Sequence, residues 1–192
     1  MMFADERRAE VILRHARDGA QGRGRGAHVS VYELAQLNIA IMREPLESPT
    51  MADFVANLDR INALAECSPG FVWRLKTDGG DATALRPLGE RTLVNMSVWR
   101  DVESLNEYVY RSDHVEIMRR RTEWFERLRE AYTVLWWVDE GHRPDVQEAV
   151  AKLEVLRAQG PTAEAFTFRR AFPPPGALEP RRAFASGEER LA

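Results

Sequence analysis

Tyr132 to Val138, YTVLWWV, is a run of β-branched and aromatic residues that reads as a strand, and it contains two adjacent tryptophans. Successive strand side chains point to opposite faces, so Trp136 and Trp137 require that both sides of one sheet be covered. Each large side chain left in water would forgo roughly 1.5–3 kcal/mol of burial. Helices can cover one face, and the elements left over are too few to cover the other. The expectation is therefore a homodimer, its partner packed through an isologous two-fold contact.

The other elements follow from periodicity and punctuation. Val29 to Asn38 reads as a first strand, with Asn38 at its end, followed by a loop punctuated by Pro45 and Pro49. Thr50 is a candidate cap for a helix whose Phe54, Leu58, Ile61 and Ala65 share a face. Phe71 to Lys76 and Leu93 to Trp99 are strands two and three, joined by a long decorated hairpin. Pro144, read as the first helical position, opens a last helix with Val146, Ala149, Val150, Leu153 and Leu156 on one face, stopped by Gly160-Pro161. Ala165 to Phe168 reads as a short edge strand. The order is β-α-β-β-α-β, an α+β, ferredoxin-like plan with an extra C-terminal helix.

Chemistry concentrates between Arg91 and Phe125. In the third strand Val94, Met96 and Val98 share one face, while Leu93, Asn95, Ser97 and Trp99 make the other a mixture of apolar and polar groups. Asp101 can cap the helix that carries Val102, Leu105 and Val109, with Tyr108 at the edge of the stripe. Asp113 and Glu116 form a capping-box pattern, and behind it His114, Ile117, Met118, Phe125 and Leu128 share a helical face, which turns the imidazole inward. A helix N-terminus disfavours imidazolium, which suits a neutral base or ligand. The alternative is a hydrogen-bonded core histidine. Asn95 can orient a substrate carbonyl or stabilise enolate-like charge, or else satisfy backbone groups near a bulge. Asn38 is either a pocket-lining amide or a turn residue. Trp73, Trp99, Tyr108, Trp124 and Trp136 are candidates to line a pocket for a flat apolar or aromatic ligand, or belong to ordinary core and interface.

With 192 residues, 44% of them hydrophobic, the chain suits one domain at 28–175, a flexible leader at 1–27 and a flexible tail at 176–192. The formal charge of -3 gives no global attraction to nucleic acid, and neither a membrane span nor a signal-peptide core is evident, so a cytoplasmic location is expected. The GRGRG run from Gly22 lacks the strand and helix of a dinucleotide fingerprint. The lone Cys67 has no disulfide or CxxC partner and is expected in the core. Arg119, Arg120 and Arg121 read as a solvated face and His142 as a turn residue. No phosphate loop, HExxH or GxSxG motif is present.

LAQLN from Leu34, LVNMSVWRDVESLNEYVYRSDH from Leu93, WF at Trp124, LWWVDEGHRPDVQEA from Leu135 and LRAQGPTAEAFTFRRAFPPP from Leu156 together resemble the domain-of-unknown-function 3291 family of the dimeric α/β-barrel superfamily. The resemblance implies protomers that pair sheet to sheet into a barrel, related to antibiotic-biosynthesis-type monooxygenases. The first reading is a monooxygenase-like enzyme with an apolar small-molecule pocket in each protomer, in which His114 handles protons and Asn95 orients the substrate, the cofactor being none or haem. SVWRDVESLNEYVYRSDH with the following WF is also similar to spheroidene-type monooxygenases, which are haem proteins, and implies the alternative of His114 as axial haem ligand. A non-enzymatic ligand-binding or structural dimer is the competing class.

Overall fold

The computed structural model describes residues 32–111 and 114–177. The expected leader, most of the tail and Asp113 of the capping box lie outside them. The elements run β1 (Tyr32–Ile41), α1 (Ala52–Glu66), β2 (Phe71–Arg74), β3 (Thr92–Trp99), α2 (Val102–Arg111), α3 (His114–Trp124), β4 (Thr133–Asp139) and α4 (Val146–Gln159). The sheet order is β2-β3-β1-β4, with every neighbouring pair antiparallel. This is the ferredoxin-like arrangement, with α2 and α3 in the place of its second helix.

Local chemistry explains most boundaries. Asp101 Oδ1 accepts from the Ser104 N–H at 2.7 Å and starts α2, and Asp145 Oδ1 accepts from the Glu148 N–H at 2.8 Å and starts α4. Pro144 thus precedes the cap of α4 rather than occupying its first helical position. Thr50 caps nothing: it lies in a 3-10 turn, Pro49–Met51, and neither that turn nor α1 has a side-chain cap. Proline at the start of the turn removes one N–H that would need a partner. β1 runs on to Ile41, so Asn38 lies inside the strand instead of at its end. β2 stops at Arg74, two residues short of the expected Lys76. Residues 165–168 form no regular strand; Phe166 alone bridges to Leu135 at the edge of β4.

The two faces of the sheet are packed differently. On one, Ala35, Leu37, Val94, Met96, Val98, Val134 and Trp136 form a continuous core with Ala149, Leu153 and Leu156 of α4. Leu75 and Leu85 of the β2–β3 connection, and Leu128 of the segment before β4, extend this cover. Leu128 was expected on the α3 stripe, but the helix ends at Trp124 and delivers it to the opposite side of the sheet. Trp136 is fully buried, its indole N–H donating to Glu148 Oε1 at 2.9 Å, while Glu148 Oε2 lies 2.7 Å from His142 Nε2.

This corrects the premise drawn from the paired tryptophans. The face thought to need a partner subunit is covered by α4 and two connections of the same chain, and Trp137 on the other face is half-buried and donates to the Phe172 carbonyl at 2.8 Å. Neither tryptophan needs a second chain. Cys67 is also corrected: it is exposed, because it follows the last turn of α1 away from the Phe54–Leu58–Ile61–Ala65 stripe. No helix among the described residues is long and apolar enough to cross a membrane.

On the other face the three helices leave two separate apolar clusters. Leu34, Trp99, Leu105, Leu135 and Phe166 form one; Met42, Met51, Leu93, Trp124 and Phe125 form the other. Gly70 sets the approach of α2 to the start of β2. Its φ is +81°, and a Cβ placed there would sit 2.3 Å from Ser104 Oγ. Gly70→Ala is therefore expected to cost at least about 2 kcal/mol, read as a lower urea midpoint, and an unchanged midpoint would reject this packing.

Candidate functional site

Between the two apolar clusters the helix-facing side of the sheet is polar. Gln36 pairs in register with Ser97, and Asn38 pairs with Asn95 on one side and Thr133 on the other. Two of these contacts are closed internally. Ser97 Oγ donates to Gln36 Oε1 at 2.9 Å and accepts from Trp99 Nε1 at 2.9 Å, and Asn38 Nδ2 donates to Thr133 Oγ1 at 2.8 Å. Asn95 differs. It is the one exposed residue of β3, a strand whose other side chains are buried, and its amide makes no hydrogen bond among the described residues.

Above this strip lies a cavity of about 430 Å³, bounded by the sheet, α1, α2, α3 and the segment around Phe168. That is within the roughly 300–1,000 Å³ range of small-molecule pockets. Trp99 and Tyr108 stack in its wall with centroids 5.1 Å apart and planes at 25°, and Phe71 meets Trp99 edge-on at 5.4 Å. Asn62 of α1 adds a second amide with no hydrogen bond among the described residues.

Arg74 supplies the charge. Its side chain is 12% exposed, its Nε donates to Glu66 Oε1 at 2.8 Å and one terminal nitrogen donates to the Gly80 carbonyl at 2.8 Å. Burial pushes the Tyr108 phenol above its ordinary value, with a smaller opposing pull from the Arg74 charge, so the ring wall stays neutral.

Of the residues picked from sequence, the cavity brings together Asn38, Asn95, Trp99 and Tyr108. It does not include Trp73, Trp124 or Trp136. A bulge between Phe71 and Trp73 shifts the register of β2, so Phe71 and Arg74 face the cavity while Trp73 joins the opposite core. Trp124 is fully buried at the end of α3, between Phe54 and the Arg120 guanidinium 4.9 Å above its ring. Trp136 faces α4. His114 opens α3, but its side chain lies outside the described residues, and with it the reading of the imidazole as base or haem ligand. Gln36, Asn62, Arg74 and Thr133 were missed. The polar alternation Gln36, Asn38 within an apolar strand was a visible signal for the first; the bulge hid Arg74.

The family described as Domain of unknown function (DUF3291) matches residues 33–182. This chain belongs to that family. The DUF3291 chain matches no curated protein. Among solved structures it is similar to SnoaB, a cofactor-independent oxygenase from Streptomyces nogalater, at 15% identity and a TM-score of 0.37, over 60% of this chain and 98% of that one. It is also similar to NE2512, a protein of unknown function from Nitrosomonas europaea, at 14% identity and a TM-score of 0.38, over 60% and 96% of the two chains. Likenesses at this level transfer neither a substrate nor a residue's role to the DUF3291 chain.

The hydrogen-bond pattern separates scaffold from site by stability. Ser97→Ala strands the Trp99 N–H and the Gln36 carbonyl and is expected to cost about 1–3 kcal/mol, whereas Asn95→Ala should stay within about 0.5 kcal/mol. Urea unfolding reads both, and equal losses would reject the distinction. Tyr108 favours the folded state only while neutral. Its contribution is complete below the ordinary tyrosine value of 10.0 and is lost as pH rises above it. Tyr108→Phe should flatten the fall in unfolding midpoint above that pH relative to the parent protein.

Proposed function

We propose that this protein binds a planar, oxygen-bearing small molecule in the cavity between its sheet and helices α1 to α3. The observation that carries this reading is Asn95, an exposed amide with no hydrogen bond among the described residues, at the centre of an otherwise buried interior strand. A carboxamide offers both a donor and an acceptor, which suits a carbonyl or hydroxyl oxygen, and the Trp99–Tyr108 stack provides an aromatic wall for the attached ring.

A monooxygenase-like reaction is the chemical extension of this binding. Removing a proton from a bound phenol or ketone leaves negative charge on its oxygen, where the Asn95 N–H and the Arg74 guanidinium would stabilise it. In this extension His114 takes the proton and the electron-rich ligand then meets dioxygen.

Binding is tested with 2-naphthol and 2-acetylnaphthalene, followed by quenching of tryptophan fluorescence. Asn95→Ala is expected to weaken the ketone about two- to tenfold with little change in unfolding midpoint, since one hydrogen bond contributes about 0.5–1.5 kcal/mol. Unaltered affinity would overturn the assignment of Asn95. Native mass spectrometry of the purified protein identifies any co-purifying ligand. Oxygen uptake on returning that ligand to the protein, abolished in His114→Gln with binding retained, is the result expected of the reactive extension; no uptake leaves a binding protein.

A further inference from the structure

A second, smaller cavity of about 150 Å³ adjoins the first, and the two share Asn38, Ile61, Asn62, Arg74, Asn95 and Met118. These residues form a neck between the chambers. The larger chamber is aromatic, walled by Trp99, Tyr108 and Phe71. The smaller is lined by Ala40, Phe54, Leu58, Leu93, Ile117 and Phe125.

Polar side chains also border the smaller chamber, but they are already engaged. Asp81 Oδ1 accepts from the Thr83 N–H at 2.7 Å and from its hydroxyl at 2.6 Å, and Arg121 donates to Tyr132 Oη at 2.8 Å while lying 4.5 Å over that ring. Asn57 donates to the Asp53 carbonyl at 2.7 Å and accepts from Arg60 at 3.0 Å. The larger part of the surface left to an occupant is apolar, with Asp81 Oδ2 a carboxylate oxygen that accepts no hydrogen bond among the described residues. At the neck the situation is reversed, because the amides of Asn95 and Asn62 have no partner among the described residues.

We infer that the ligand is a tripartite molecule: a flat ring in the larger chamber, a carbonyl-type oxygen at the Asn95 neck and a short aliphatic arm in the smaller chamber. This deepens the proposed function and rests on it. The order of surfaces along the cavity is aromatic, polar and aliphatic, so the matching chemical class is an aryl alkyl ketone or its enol.

The experiment uses naphthyl alkyl ketones whose arm grows from methyl to pentyl, titrated into the full chain by tryptophan fluorescence. Affinity is expected to rise about threefold per methylene until the small chamber is full. Ala40→Leu and, from the helix side, Leu58→Phe fill that chamber, and each should collapse the pentyl-to-methyl affinity ratio toward one. Two substitutions on different elements guard against a single misfolded variant, and urea unfolding checks both. Affinity independent of arm length, or a ratio preserved in both variants, would overturn the two-chamber assignment while leaving the methyl ketone bound at Asn95. Failure of every ketone to bind would overturn the proposed function with it.

Discussion

Amide and hydroxyl groups occupy the middle of the helix-facing side of the sheet, where the flanking positions carry Leu34, Trp99 and Leu135 at one end and Leu93 at the other. Helices can seal a sheet by apolar contact only where the sheet is apolar. Across Gln36, Asn38, Asn95, Ser97 and Thr133 the helices would have to desolvate polar groups, which costs free energy unless each finds a partner. The apolar packing therefore divides into two clusters, and the space between them stays open as the cavity. The helices follow the same division: α2 packs toward the Trp99 cluster, and the end of α3 toward the Trp124 cluster.

The opposite face shows what the same sheet does without that constraint. There Ala35, Leu37, Val94, Met96, Val98 and Val134 form one uninterrupted cluster under α4. Its Trp136 indole nitrogen is matched to Glu148. A buried N–H with a dedicated acceptor belongs to the scaffold, and that match distinguishes Trp136 from Asn95 better than residue type does.

Local rules made much of this visible in the sequence. The alternation from Leu93 to Trp99 separated the two faces of β3, Asp101 marked the start of α2, and the element order led to the ferredoxin-like plan. What stayed hidden depends on tertiary placement. Nothing in the α4 sequence says which face it covers, so the Trp136–Trp137 pair read as a demand for a second subunit. The bulge in β2 is a single-residue irregularity that exchanges Trp73 for Arg74 at the cavity, and strand alternation cannot reveal it. For the same reason Leu128 was placed on a helix that ends before it. Trp124 and Trp136 were chosen as aromatic residues, but each packs away from the cavity, Trp124 in the cluster with Met51 and Phe125 and Trp136 under α4.

The asymmetry of the two faces bears on how the site works. Asn95 lies between Val94 and Met96, both locked into the continuous core on the other side of the sheet. Its backbone is thus fixed by contacts on the far side of the sheet, so in the proposed site only the Asn95 side-chain rotamer would have to be ordered by a ligand oxygen. Over the cavity α2 is anchored along its length by Val102, Leu105 and Val109, whereas α1 joins the two clusters near its ends, through Phe54 and Ala65. In the proposed site, fitting to the shape of a ligand would fall to Ile61, Asn62 and Met118 on α1 and α3, while β3 would present the Asn95 amide to its oxygen.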